Sequence, residues 1–120
     1  MATSSHLDSL FALQGIGSYA ITVGGSPEQR TAWLPRVATA EALAALALSE
    51  QDAGSDLKAV STELVAKGDG LLLRGSKSFI SNAGSAAFFV VFAKEASGLS
   101  MVLVPADAAG VSVTPTPELI

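Results

Sequence analysis

Apolar residues recur at helical spacing through the first two dozen positions: Leu7, Leu10, Phe11, Ile16, Tyr19, Ala20 and Val23. The pattern predicts an amphipathic helix that starts near Ser4 or Ser5 and stops at Gly24-Gly25. Gly15 and Gly17 inside it each cost roughly 1 kcal/mol against Ala, which suggests close packing against another backbone or a weak helix. Ser26-Pro27-Glu28-Gln29 then supplies an N-cap, a proline at the first helical position and a capping-box partner, so a second helix begins there. That helix carries Arg30 and Trp33 and should bend or end near Leu34, because Pro35 disfavours helical geometry in the residue before it.

From Glu41 to Leu48 the alanine and leucine content favours helix, yet the tract lacks a polar face and runs directly into the turn Asp52-Ala53-Gly54-Ser55. Helix and strand both stay open for it. After Asp56 the pattern shortens into strand-like runs: Thr62 to Ala66, a turn at Lys67-Gly68-Asp69-Gly70, Leu71 to Arg74, Lys77 to Ile80, Phe88 to Ala93, Leu99 to Val104 and Val111 to Thr114. Phe88-Phe89-Val90-Val91-Phe92 is apolar on both faces and should form a central strand, whereas Glu63 and Lys67 suit a solvated edge. The change near Thr39 to Glu41 reads as a join between layers, not a flexible linker.

Composition narrows the function. With 120 residues, 49% hydrophobic and 15% charged, the chain can build one modest core. A net charge of −4, from 7 basic and 11 acidic residues spread along the chain, offers no basic stripe for nucleic acid. There is no cysteine, hence no disulfide and no thiolate ligand or nucleophile, and one histidine with scattered carboxylates makes no metal set. His6, near the terminus, is given no role. No Gly-x-Ser-x-Gly elbow is present for a hydrolase. No secretory pattern or run of about 20 apolar residues occurs, so no membrane association and a soluble, cytoplasmic protein are the default expectation.

Two segments carry the candidate chemistry. Leu46-Ala47-Leu48-Ser49-Glu50-Gln51-Asp52-Ala53-Gly54-Ser55-Asp56 leads from apolar residues into consecutive small and hydroxyl-bearing ones, and Gly75-Ser76-Lys77-Ser78-Phe79-Ile80-Ser81-Asn82-Ala83-Gly84 does so again. Such backbone can lie close against a flat ring and a polyphosphate. Read singly, each is an ordinary surface turn, Phe79 a core aromatic on a strand, and Lys77 a solvated or ion-paired lysine on a strand edge.

Together, in this order and spacing, the two segments resemble the flavin-contacting signatures of the acyl-CoA dehydrogenase family. Gly24-Gly25-Ser26-Pro27-Glu28-Gln29-Arg30 and Trp33-Leu34-Pro35-Arg36-Val37 resemble that family's join between helical and β domains, so the likeness covers nearly the whole chain. The resemblance implies an α+β fold: two N-terminal helices (residues 1–40, the end of the family's N-terminal domain) and a small antiparallel β-barrel or sandwich (residues 41–120, the middle β-domain). It makes the tract from Glu41 to Leu48 a buried strand.

It also implies FAD as cofactor and an acyl-CoA thioester as substrate. Leu46, Ala47 and Leu48 would present backbone and apolar surface to the flavin, Ser49 a hydroxyl, and Gly54 and Ser55 backbone and a second hydroxyl that also meets the thioester. Phe79 stands for the aromatic that packs on the isoalloxazine, beside Ile80, with Ser81 the hydroxyl near flavin N5. Phe in place of the family's more frequent Trp keeps a ring face but loses the indole N–H. Ser9, Ala12 and Ile16 of the first helix are candidate acyl-pocket residues, against a plain packing role for each; a small residue at Ala12 would leave room for a bulkier acyl group. Gln51 stands where the family usually has Pro, which should loosen that turn.

The family's glutamate base lies in a C-terminal helical domain, and Glu118 is not at its position, so no catalytic residue is assigned. The expectation is a chain inactive alone, completed by that domain or by a partner chain, and homo-oligomeric in the full enzyme. Phe11, Tyr19, Trp33, Leu34 and Phe79 should then be exposed. The competing reading is a non-catalytic thioester-binding or interaction module, or a degenerate fragment.

Overall fold

The computed structural model describes residues 5–115, with side chains from Asp8 onward. His6 and Glu118 therefore lie outside the described side chains. Helix α1 spans Ser5–Gly24 and α2 spans Pro27–Ala38; strands follow at Ala44–Ala47 (β1), Glu63–Lys67 (β2), Gly70–Arg74 (β3), Phe88–Glu95 (β4) and Gly98–Pro105 (β5), with a 3-10 turn at Leu57–Ala59.

α2 begins as its capping sequence dictates. The Ser26 side chain accepts from the Gln29 N–H while the Gln29 side chain accepts from the Ser26 N–H. It does not end at Leu34, however. Pro35 sits in the last turn, where it removes one N–H, and the Thr39 N–H and hydroxyl both donate to its carbonyl. The helix thus continues to Ala38.

α1 forms over the predicted span but buries a different face. Phe11, Ile16, Tyr19 and Val23 are exposed, and the buried positions are Gly17, Ser18 and Ile21, with Gln14 half-buried beside them. Small residues are needed there because the helix lies directly on β1. A Cβ at Gly17 would stand 2.7 Å from Ala44 Cβ and 3.1 Å from the Ala44 carbonyl carbon. Gly15, by contrast, faces open space. Gln14 ties the layers together: its amide donates to the Val37 and Ala42 carbonyls, and its oxygen accepts from Ala44 N–H at 2.8 Å.

The alanine-rich tract forms a strand against its helix propensity, held by pairing with β4, and at Ala44 its small side chain lets α1 lie close. Ala44 is buried beneath α1, Ala45 and Ala47 are buried on the opposite face of the sheet with Phe89 and Val91, and β1 runs parallel to β4 with Ala44 opposite Phe88. β4 is central, as its apolar run predicts: it pairs antiparallel with β5 and, at Glu63 opposite Lys94, parallel with β2. β2 and β3 form the antiparallel hairpin around Gly68. Glu63 and Lys67 are solvated, but β3, not β2, is the outer strand.

The expected two helices and β-domain are thus present, with one refinement: the five-stranded sheet is mixed, not purely antiparallel, and does not close over the described residues. Two predicted strands are absent. Lys77 to Ile80 is irregular because Phe79 adopts φ 59°, and Val111 to Thr114 is coil after a turn bond from Val111 N–H to the Ala108 carbonyl. One core cluster joins helices and sheet: Ile21, Ala42, Ala44, Phe88 and Val90, with Trp33, Leu34 and Val37 packed on it. Trp33 and Leu34 are half-buried, contrary to the expectation of exposure, and the Trp33 and Phe88 rings lie 4.7 Å apart.

Candidate functional site

The end of β1 and the irregular segment after Gly75 come together by polar links. Ser78 N–H donates to the Ser49 carbonyl at 2.9 Å, and the Lys77 ammonium donates to the Leu48 carbonyl at 3.0 Å. Between them and α1 opens a cleft of about 150 Å³ lined by Leu13, Ile16, Ala44, Ala45, Leu46, Leu48, Ser49, Phe79, Ile80 and Ser81. Of the candidate residues, Ile16, Leu46, Leu48, Ser49, Phe79, Ile80 and Ser81 therefore converge on one site. Ala47 does not; it packs in the cluster of Phe89 and Val91. Ser9 and Ala12 are exposed and do not line the cleft, and Gly54 and Ser55 are exposed in the turn beyond it.

Local backbone aims the second segment. Phe79 at φ 59° and Asn82 at φ 63° occupy the left-handed region, which a bulky residue such as Phe enters only under constraint. That geometry leaves the Phe79 ring 82% exposed at the cleft wall. The turn behind it is closed by bonds from Ala83 N–H to the Ile80 carbonyl and from Ser85 N–H to the Asn82 carbonyl. The first segment needs no proline to hold its turn. Glu50 and Ala53 exchange two backbone hydrogen bonds, at 2.9 and 3.3 Å, across Gln51 and Asp52, so the turn is closed.

Behind the cleft lies a buried ion pair that reading by motif alone passes over. Glu50 accepts from Ser61 N–H and hydroxyl, Thr62 N–H and hydroxyl, and the Lys77 ammonium at 2.8 Å. Lys77 is ion-paired, the bland alternative for it, though buried and not on a strand edge. Burial pushes the Glu50 carboxyl up, but Lys77 and the donors of Ser61 and Thr62 outweigh that and hold it well below the usual carboxylate range. Glu50 is thus a fixed anion and no base. Leu13 also lines the cleft, and its place one helical turn before Ile16 is the signal in the sequence that points to it.

Chemically, the cleft offers aliphatic walls, one aromatic face and two hydroxyls. The Ser49 and Ser81 hydroxyls have no protein partner among the described residues, and none of the lining side chains is titratable. That donor set fits the edge and face of a flat heteroaromatic ring better than a charged ligand.

The model of the acyl-CoA dehydrogenase middle domain matches residues 45–120. A probable acyl-CoA dehydrogenase of Mycobacterium leprae is 36% identical over 109 residues, covering 87% of this chain and 28% of that protein. The mitochondrial very long-chain specific acyl-CoA dehydrogenase of Mus musculus is 44% identical over 87 residues, 71% of this chain and 13% of its own length. Among solved structures, a glutaryl-CoA dehydrogenase from Mycobacterium smegmatis in complex with FADH2 superposes with a TM-score of 0.85 at 34% identity, over 88% of this chain and 28% of that one. The chain belongs to the acyl-CoA dehydrogenase family. It spans under a third of the length of these relatives.

Proposed function

We propose that this chain supplies the flavin-facing half of an active site for α,β-dehydrogenation of acyl-CoA thioesters. The observation that carries the reading is the convergence of Ser49 with Phe79, Ile80 and Ser81 on one apolar cleft, from segments that share no strand pairing. When bound, FAD would take the hydride that leaves the substrate's β-carbon. Phe79 would cover one ring face, the Ser49 and Ser81 hydroxyls would donate to ring acceptors, and Leu46, Leu48 and Ile16 would exclude water. Gly54 and Ser55 would meet the thioester-bearing part of the ligand from the turn beyond Glu50. Ser9 and Ala12 receive no acyl contact in this reading.

No lining residue can take the substrate's α-proton, since the cleft contains no titratable side chain. That step therefore falls to a group outside the cleft, on a helical domain or partner chain. Residues 1–40 would belong with such helices and 41–120 with the β-domain, in a cytoplasmic, homo-oligomeric enzyme. The alternative, an interaction module without chemistry, draws on the exposed Phe11, Tyr19 and Val23 of α1, which present apolar surface to a partner.

The test is a titration of FAD into the purified 120-residue chain, following fluorescence quenching, alone and with a helical partner chain that carries a glutamate base. The dehydrogenase reading expects flavin binding, with acyl-CoA oxidation only when the partner is present. Tight partner binding with no flavin uptake in either condition would favour the interaction module instead.

A further inference from the structure

We propose that the buried Glu50–Lys77 pair is a latch that sets where Phe79 and Ser81 stand in the cleft, which makes both charged residues positioning residues for the flavin. The proposal deepens the flavin reading above and rests on it for its ligand.

Three observations carry it. First, Lys77 bonds to both the Leu48 carbonyl and the Glu50 carboxylate, so a single ammonium grips the first motif segment on either side of Ser49. Second, Glu50 is itself immobilised by four donors from Ser61 and Thr62, and Thr62 is wedged against Gly75, where a Cβ would fall within 2.3 Å of its hydroxyl. The latch is thus anchored in the sheet at one end and at the root of the second segment at the other. Third, between Lys77 and the left-handed Phe79 the only backbone bond to the first segment among the described residues is from Ser78 N–H to the Ser49 carbonyl. Without the ammonium, that hydrogen bond and the packing of Ile80 and Ala83 on the sheet would have to hold a strained backbone in place.

An apolar pair of similar volume could fill the same space with equal or better stability, so burying two charges is explained better by placement than by stability. Both side chains are nearly inaccessible, at 9% and 6%, which removes solvent screening and sharpens the geometry.

The latch is tested in the 120-residue chain with Lys77→Met, Lys77→Arg and Glu50→Gln, by two readouts. Amide exchange needs no ligand: Lys77→Met should speed exchange at Ser78 N–H by about tenfold or more while Val90 N–H in β4 is unchanged. FAD affinity, from quenching, should fall by about tenfold in the same variant, and Lys77→Arg should recover most of both. Unchanged Ser78 exchange, or equal acceleration at Val90, overturns the latch. Faster Ser78 exchange with undiminished FAD affinity overturns the positioning role. If the unaltered chain takes up no FAD, the flavin reading fails by itself and the exchange data alone decide whether the latch exists. Should Lys77→Met not fold, Glu50→Gln, which keeps an acceptor for Ser61 and Thr62, is judged by the same two readouts.

Discussion

Phe88, at the start of β4, has no exposed surface and meets Trp33 at 4.7 Å between ring centroids, whereas Phe79 has 82% of its surface exposed and a left-handed backbone. Around Phe88 the chain is held by area: Ile21, Ala42, Ala44 and Val90 are all buried with it, and regular ladders pair β4 on both sides. Around Phe79 it is held mainly by direction, through an ion pair and a few hydrogen bonds, with Ile80 and Ala83 half-buried on the sheet, against the strain of two positive-φ residues. Burial is insensitive to small displacements, while hydrogen bonds to fixed charges are not. The first arrangement stabilises a fold; the second places a ring and two hydroxyls.

The contrast can be broken most forcefully at Phe88. Phe88→Ala should remove roughly 3–5 kcal/mol of stability, enough to unfold much of the population, as read by denaturant melts on Trp33 emission. A loss comparable to that of an exposed residue would mean β4 is not the centre of the core.

Glu50 sharpens the other side. Glu50→Gln should lower stability by roughly 1–3 kcal/mol at neutral pH, because the carboxamide accepts less strongly from a buried ammonium. Its pH dependence has a definite sign. The folded-state pKa lies below the ordinary value of 4.5, so its contribution is fully present above that value and disappears as the pH falls below it toward the lowered pKa. Acid melts of the unaltered chain should therefore steepen below pH 4.5, and those of Glu50→Gln should flatten there. Parallel acid profiles would mean the carboxylate is not ionised in the fold.

How much of this the sequence discloses follows the same division. The start of α2 is legible because Ser26 and Gln29 satisfy each other within one turn, and β4 because its apolar run is bounded and β-branched. Local rules fail where tertiary packing decides. Ala44 to Ala47 becomes strand because it pairs with β4 and is covered on both faces, with Ala44 against Gly17 of α1, and the buried face of α1 is Gly17 and Ser18, not its aromatics. Pro35 is tolerated because it costs one N–H in a short helix, and Thr39 caps the Pro35 and Arg36 carbonyls that the helix end leaves free. The two motif segments are readable as candidates, but the left-handed Phe79 and the Glu50–Lys77 pair, which spans distant parts of the chain, are not. No propensity or period encodes which lysine a buried glutamate will meet.

The most direct test of the central claim, that the cleft spends local stability on placing a flavin-facing ring, is Phe79→Gly, followed by thermal melt and FAD titration on the same preparation. Glycine accepts the left-handed backbone and little buried area is lost, so stability should be unchanged or rise by up to about 1 kcal/mol while FAD affinity falls by about tenfold. Stability and affinity falling together, or affinity holding while the ring is gone, would contradict the account.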